Sequence, residues 1–212
     1  KFVHAADFHL DSPFAALPPR KAAARRRESR DLPERLAAYV NRSGIDLVLL
    51  AGDLFDSAAA YRDTAERLSA ALGQMNAQVC IAPGNHDWYG PGSPYLAVRW
   101  PENVHIFTQP RLEAMEWPEK NLVIHGAAFT GAEQSAGFLT GFTAPSDGKI
   151  HIGLLHGELD PSEARYDPIR REEIASSGLA YLALGHIHKR AEPLRCGQTL
   201  CAWPGCPEGR GF

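Results

Sequence analysis

Two histidines stand one residue apart in the stretch LALGHIHK, directly after an apolar run that ends at Gly185. In an extended backbone, side chains at positions i and i+2 point to the same side. His186 and His188 can therefore offer two imidazole nitrogens to one small volume, which is the geometry of a metal chelate. A pair of this kind is more often an exposed pair after a buried strand, so a metal site needs further ligands elsewhere in the chain.

Four other apolar runs also end in side chains that can bind metal. The first gives ADFH, in which Asp7 and His9 repeat the i, i+2 spacing, and three later runs end in GDLFD, GNHD and LLHGE. Any one of these clusters is weak evidence, but five in one chain indicate a shared site. The residues of the clusters are Asp7, His9, Asp53, Asp56, Asn85, His86, Asp87, His156, His186 and His188.

The elements that must position these residues follow from the apolar runs, which are short, rich in Val, Ile and Leu, and bounded by turn residues. Helical patterns between the first three runs, at residues 31–44 and 61–77, indicate an α/β layered fold. The later part is richer in strands and contains a hairpin turn in RCGQTL, which predicts mixed sheets. The predicted strands are residues 2–6, 46–51, 78–82, 122–125, 150–155 and 180–184.

The position of the clusters predicts that they meet. In open α/β sheets, ligands bind in the crevice outside the carboxyl ends of the strands. Each of the five clusters follows the end of a predicted strand, so we expect all five to converge. Their imidazole, carboxylate and amide groups suit Mn²⁺, with Fe or Zn²⁺ as alternatives, rather than copper or a structural zinc. Six or seven ligands are enough for two ions, and two ions imply a hydrolytic displacement at phosphorus.

The composition is typical of one globular domain, here residues 1–212, with 44% hydrophobic and 22% charged residues. The apolar runs are far shorter than the ~20 residues that span a bilayer, and no signal-peptide pattern opens the chain, so we expect a cytoplasmic protein without membrane contact. The net charge of −3 gives no global indication of nucleic-acid binding. The basic segment 20–30 is either a solvated helix face or a phosphate track. The four cysteines are expected to be thiols without a catalytic role.

The ordered set DxH, GD, GNHD, H and GHxH resembles the pattern of the calcineurin-like metallophosphoesterases over almost the whole chain. Within that family, HAADFHLDSPF, GDLFD and PGCPEGRGF are most similar to bacterial DNA-repair exonucleases of the SbcD/Mre11 type, in particular the YhaO-like branch. The resemblance implies a layered α-β-β-α sandwich with mixed sheets, two divalent ions and hydrolysis of phosphodiester bonds in DNA.

The resemblance also implies a role for each site residue. One ion would be held by Asp7, His9, Asp53 and His188, and the other by Asp53, Asn85, His156 and His186, so that Asp53 bridges the ions. His86 would be the catalytic histidine near the scissile phosphate, and Asp87 would orient its loop.

Two features of the chain depart from the resemblance. GDLFD stands where archaeal and eukaryotic relatives have GDLFH, so a second histidine near the substrate is expected to be missing. Members of the branch also continue into a DNA-contacting cap and a segment that binds an SMC-like coiled-coil ATPase. We expect this chain to lack both parts, which leaves the ATPase partner and a homodimer as expectations for a longer protein.

Three other functions compete with the nuclease. A protein phosphatase of this family carries an Arg soon after the GD motif, and the stretch GDLFDSAAA has none. Cyclic-nucleotide phosphodiesterases commonly pair histidines at the fourth motif, where this chain has LLHGEL. A non-catalytic scaffold with this fold typically loses motif histidines, whereas every expected metal ligand and His86 are present here.

Overall fold

The computed structural model describes residues 1–208, and residues 209–212, which end the PGCPEGRGF stretch, lie outside the described residues. The first half of the chain forms a parallel sheet. Its strands are short apolar runs, and residues 47–50 are all buried, as in parallel strands that are covered on both faces. The strands pair in chain order and are β1 (Phe2–Ala5), β2 (Leu47–Leu50), β3 (Gln78–Ile81) and β4 (Val104–Ile106).

The second half forms a six-stranded mixed sheet in the order β11-β12-β10-β7-β6-β5. The three inner pairings are parallel, and the two outermost pairings are antiparallel. These strands are β5 (Glu113–Trp117), β6 (Leu122–Gly126), β7 (Ile150–His156), β10 (Tyr181–Gly185), β11 (Leu194–Cys196) and β12 (Thr199–Ala202). The short strands β8 (Glu158–Leu159) and β9 (Pro168–Ile169) pair separately, and a 3₁₀ turn covers Pro118–Lys120.

In the described part of the chain, five α-helices connect or cover the strands. They are α1 (Pro19–Arg30), α2 (Leu32–Ser43), α3 (Arg62–Gly73), α4 (Pro94–Ala97) and α5 (Arg171–Ser176). Helix α2 ends at Ser43, and the next residue, Gly44, adopts a left-handed conformation with φ 57° that closes the helix at the end of the predicted pattern 31–44. Within residues 1–208, no helix combines the length and the apolar composition needed to cross a membrane.

The two sheets pack face to face, and helices cover their outer faces. Alternation along β2 shows this arrangement: Leu47 and Leu49 join a core with Ile124 and Leu154 of the second sheet, whereas Val48 and Leu50 face α2 and α3. Helix α5 packs on the outer face of the second sheet. The predicted layered α-β-β-α fold is therefore confirmed, and the prediction of mixed sheets is right for the second sheet, whereas the first is parallel throughout.

The six strands predicted from apolar runs are present within one residue of their expected ends. Helix α3 ends at Gly73 and not at residue 77. The side-chain amide of Asn103 donates to the carbonyl oxygens of Leu72 and Met75 at 3.0 and 3.3 Å, so it satisfies groups that would otherwise need a longer helix. Since Asn103 lies 30 residues away from the helix, local sequence does not reveal this cap.

Asp167, which directly precedes β9, is a completely buried carboxylate outside the predicted clusters. Its Oδ1 accepts a hydrogen bond from the Phe138 amide at 2.6 Å, and its Oδ2 has no partner in the described part of the chain. Burial raises the pKa of Asp167 from 3.8 to about 7. The folded state therefore favours the protonated carboxyl, which stabilises the protein below pH 3.8 and loses that effect as the pH rises through 7.

We expect Asp167→Asn to remove this pH dependence. The amide keeps the acceptor for Phe138 but cannot ionise, so its advantage over wild type in the free energy of unfolding should grow from pH 4 to 7. The gain should reach a few kcal/mol, because each unit of pKa shift corresponds to about 1.4 kcal/mol. Urea unfolding of both proteins across this range measures it. A difference that is the same at every pH would contradict the assignment.

Candidate metal centre

The polar clusters lie at the carboxyl ends of strands from both sheets, and these ends meet. Asp7 follows β1, Asp53 follows β2, and His186 follows β10 of the other sheet. The amide of His186 donates to Oδ1 of Asp7 at 3.1 Å, and Nδ1 of His156 donates to the Ala51 carbonyl oxygen at 2.8 Å. These two hydrogen bonds join the sheets, so the convergence expected from the sequence is present.

The first group of possible ligands contains Asp7, His9, Asp53 and His188. One ligand atom of each lies within 4.8 Å of the others, and Nε2 of His9 is 3.0 Å from Nε2 of His188. Asp7 is 1% exposed, and its Oδ2 is buried without a hydrogen-bond partner among residues 1–208. A buried carboxylate oxygen with no partner is costly, and a cation would satisfy it. The residues present therefore fit a metal ion.

The second group contains Asp53, His156 and His186, again within 4.8 Å, with Asn85 between the histidines. The Asn85 amide oxygen lies 3.0 Å from Nε2 of His156 and 3.1 Å from Nδ1 of His186. Imidazole nitrogens and an amide oxygen around one point are donors that borderline divalent cations accept. Asp53 belongs to both groups and is 1% exposed.

The charge of the site favours a cation. Burial raises the pKa of Asp7 to about 6, and burial together with the nearby Asp53 raises the pKa of Asp87. Burial opposes the charged forms of Asp53 and His156 as well, but their mutual attraction wins: the pKa of Asp53 is lowered, and that of His156 is raised to about 10. The Asp7 and Asp87 carboxyls thus favour their protonated forms, and a divalent cation beside Asp7 would stabilise its charged form.

Several of these residues adopt backbone conformations that side chains other than glycine avoid. The φ angles are 56° at Asp7, 45° at His9, 51° at Asp53 and 87° at His186. Each left-handed residue of this kind costs about 1–3 kcal/mol, and such strain persists mainly where function requires it. Four strained residues among the seven predicted ligands therefore indicate a site shaped for binding.

The motif glycines make room for the ligands. A Cβ atom at Gly84 would lie 2.3 Å from Oδ1 of Asp53, and a Cβ atom at Gly185 would lie 1.8 Å from the Ala51 carbonyl oxygen. Neither position can hold a side chain without displacing the backbone or a ligand. Gly185 is thus required by the close approach of the two sheets, and Gly84 by the close packing of the GNHD loop against Asp53.

Asp87 connects the GD and GNHD loops. Its buried carboxylate accepts hydrogen bonds from the amides of Leu54 and Gly84, both at 2.7 Å, and from the Tyr95 hydroxyl at 2.6 Å. Because all of these partners donate hydrogen bonds to Asp87, its carboxylate oxygens hold the two loops in place.

His86 is exposed beside the two ligand groups. Its amide donates to Oδ1 of Asp53 at 2.9 Å, and its ring lies edge-on to that of His9 with 5.0 Å between centroids. Its Nδ1 lies 3.1 Å from the Asp56 carbonyl oxygen, which can only accept, so Nδ1 donates and Nε2 is left for another partner. His86 also forms a group with His9 and Asp56, in which one possible ligand atom of each residue lies within 4.8 Å of the other two.

An open groove of 490 Å³ runs past His86 and His188. Its other wall is the loop before α1, and Arg25 of the basic helix α1 lies at its edge. The groove therefore connects the ligand groups to the basic segment. Its lining residues are Ser12, Pro13, Phe14, Ala15, Ala16, Leu17, Arg25, Asp56, His86 and His188.

Two carboxylates beside the histidines were not predicted from the sequence to contact them. Oε1 of Glu158 lies 2.8 Å from Nε2 of His186, and Oδ1 of Asp56 lies 3.1 Å from Nδ1 of His9. Carboxylates at this position fix the orientation of metal-binding imidazoles. Glu158 follows His156 by two residues, and this i, i+2 spacing was an available signal. Asp56 stands where the GDLFH motif of other relatives has its histidine, so this chain has a carboxylate against His9 at that position.

Family comparison agrees with this geometry. Residues 1–190 match the model of the calcineurin-like phosphoesterases. The chain belongs to the calcineurin-like phosphoesterase family. This match confirms the family predicted from the motifs. Members of this family are hydrolases that use divalent metals.

Three curated relatives extend the similarity. The chain is 33% identical over 220 residues to the uncharacterized metallophosphoesterase YhaO of Bacillus subtilis, with 99% of this chain and 53% of the relative covered. It is 24% identical over 251 residues to a subunit of the nuclease SbcCD of the same organism, covering 100% of this chain and 62% of the relative. The DNA double-strand break repair protein Mre11 of Methanopyrus kandleri is 22% identical to the chain over 238 residues. This similarity covers 100% of this chain and 49% of the relative. The chain thus spans about half to three fifths of these relatives.

Proposed function

We propose that the protein is a two-metal phosphodiesterase that hydrolyses DNA. The observation that carries the proposal is the sharing of one buried carboxylate, Asp53, by two adjacent groups of ligands, with His86 exposed between them and an open groove. Two ions that share a ligand can clamp one phosphate, and an open groove admits a polymer.

The ligands divide between the ions as the family resemblance implies. The imidazole, carboxylate and amide donors suit Mn²⁺, Fe or Zn²⁺, and Mn²⁺ is the ion proposed on these donors alone. When bound, the two ions neutralise the phosphate charge and activate water near neutral pH. Asp7, His9, Asp53 and His188 would hold one ion, and Asp53, Asn85, His156 and His186 would hold the other.

His86 acts on the substrate. Its Nδ1 donates to the Asp56 carbonyl oxygen, which fixes the ring and directs Nε2 away from that oxygen. In the protonated ring, Nε2 can donate a proton to the departing sugar oxygen or a hydrogen bond to the phosphate. Asp56 and Glu158 position His9 and His186, and Asp87 holds the two loops at their separation.

DNA is the proposed substrate for two reasons. The SbcCD relative is by name a nuclease, and Mre11 is named for double-strand break repair. The basic helix α1 lies beside the groove, where phosphates on either side of the scissile bond could contact it. The SbcCD relative is also named as one component of an assembly. On that similarity we propose that this protein works with an SMC-like ATPase, and we retain a homodimer as a further proposal.

Removing the Glu158 carboxylate should weaken metal binding without removing a ligand. We expect Glu158→Ala to lower the affinity of the second site by about 10- to 100-fold, because His186 loses the acceptor that orients it. Isothermal titration with Mn²⁺ measures the change. Glu163→Ala, an exposed carboxylate in the following loop, is the matched control. Equal affinities in the two variants would show that Glu158 does not position His186.

The proposed function is tested with metal-free protein reloaded with Mn²⁺. The substrates are end-labelled linear duplex DNA, single-stranded DNA, covalently closed circular DNA, bis-p-nitrophenyl phosphate and p-nitrophenyl phosphate. Cleavage of the DNA and of the diester supports the proposal, and sparing of the closed circle assigns exonuclease action. Preference for the monoester would replace the proposal with a phosphatase. Binding of two ions without hydrolysis of any substrate would contradict it and favour a scaffold.

A further inference from the structure

Cys206 lies beside the first group of ligands, although the sequence assigns it no role. Its Sγ and one ring nitrogen each of His9 and His188 lie within 4.8 Å of one another. The same two histidines belong to the group with Asp7 and Asp53. A sulfur donor and two carboxylates are therefore both within reach of the histidine pair.

The backbone holds Cys206 in this position. The amide of Cys206 donates to the His188 carbonyl oxygen at 2.9 Å, which links the cysteine to the second histidine of the HxH motif. Gly205 has φ 72°, and a Cβ atom there would lie 2.7 Å from that same carbonyl oxygen and 2.5 Å from the Arg190 amide nitrogen. Only glycine permits this close approach, so the segment is fitted against the HxH loop.

The buried side chain of Trp203 anchors the start of the segment. Its indole N–H donates to the carbonyl oxygen of Gly157, the residue after His156, at 3.2 Å. The Ala191 amide also donates to the Trp203 carbonyl oxygen at 3.3 Å. Residues 203–206 are thus attached both to the end of β7 and to the loop that carries His188.

We propose that Cys206 binds, through Sγ, the ion that His9 and His188 hold. Sγ loses its proton to solvent when the metal–sulfur bond forms. Thiolate favours Zn²⁺, Fe²⁺ or Co²⁺ over Mn²⁺, whereas the other ligand group, with Asn85, His156 and His186, offers only nitrogen and oxygen donors. The two positions therefore differ in metal preference, and the first takes a thiophilic ion. This inference rests on the proposed metal centre.

Cobalt spectroscopy tests the proposal without a hydrolysis assay. Metal-free protein is titrated with Co²⁺, whose d–d bands report binding and whose near-ultraviolet thiolate charge-transfer band reports a sulfur ligand. We expect both bands in the wild type, and loss of the charge-transfer band alone in Cys206→Ser. Cys201→Ser is the control, since its thiol already donates to the Leu194 carbonyl oxygen at 3.3 Å and a hydroxyl can replace it.

The outcomes separate this inference from the proposed function. A charge-transfer band that persists in Cys206→Ser, or d–d bands without a charge-transfer band in the wild type, would overturn the role of Cys206 and leave the metal centre intact. Absence of d–d bands from the wild type would overturn the metal centre itself. Circular dichroism of each variant confirms that it is folded, and zinc protection of Cys206 from alkylation, measured by mass spectrometry, gives an independent readout.

Discussion

Replacing Asp53 with asparagine is expected to remove the binding of two ions together and to lower hydrolysis by about 10³-fold or more. Asp53 is the member common to both ligand groups, and it is buried. Asparagine has one oxygen in place of two and carries no charge, so it cannot bridge two cations. It also tolerates the left-handed backbone at this position, where φ is 51°, so the substitution adds no backbone strain.

Metal content after dialysis and rate of diester hydrolysis measure this effect. Asp63→Asn, an exposed carboxylate in the first turn of α3, is the control and should behave as wild type in both assays. If Asp53→Asn still bound two ions tightly, Asp53 would not be the bridging ligand, and the two groups would be independent sites.

Replacing His86 with alanine is expected to lower turnover on DNA by about 10²- to 10⁴-fold, the usual contribution of a general acid. Metal stoichiometry should stay unchanged, because the exposed ring lies outside the two proposed ligand sets and its Nδ1 is occupied by the Asp56 carbonyl oxygen. This split between turnover and metal binding distinguishes a catalytic histidine from a ligand, whose loss would reduce both.

The matched control for His86 is His105→Ala. His105 lies on β4, packs against Phe107 with 4.7 Å between ring centroids, and belongs to none of the ligand groups found among residues 1–208. The His105→Ala variant should have the turnover and the metal content of the wild type. Loss of an ion from His86→Ala would instead assign His86 to the metal centre through its proximity to His9 and Asp56.

The sequence predicts the convergence of the clusters for a reason that is only partly correct. Clusters that end parallel strands of one sheet meet at its edge. Asp7 and Asp53 obey this rule, since β1 and β2 are neighbours. His156 and His186 come from a second sheet, and they reach Asp7 because the two sheets pack face to face. Periodicity reveals which residues are buried in a strand, but it does not reveal how strands divide between sheets.

Other features depend on contacts between segments that are distant in sequence. Glu158 and Asp56 reach histidines that lie 28 and 47 residues away, and Cys206 reaches His9 from the other end of the chain. The left-handed backbone at Asp7 and Asp53 has no local signal, because neither residue is a glycine. The apolar runs determine the layers of the fold, whereas these tertiary contacts determine which polar groups the layers bring together.

Electron paramagnetic resonance of metal-free protein reloaded with two equivalents of Mn²⁺ tests most directly whether the converged loops form one centre in which two ions share Asp53. Ions joined by one carboxylate are close enough for their spins to couple. We therefore expect an exchange-coupled multiline spectrum in the wild type and only isolated-ion lines in Asp53→Asn. Isolated-ion lines alone in the wild type, with both ions bound, would contradict a shared centre.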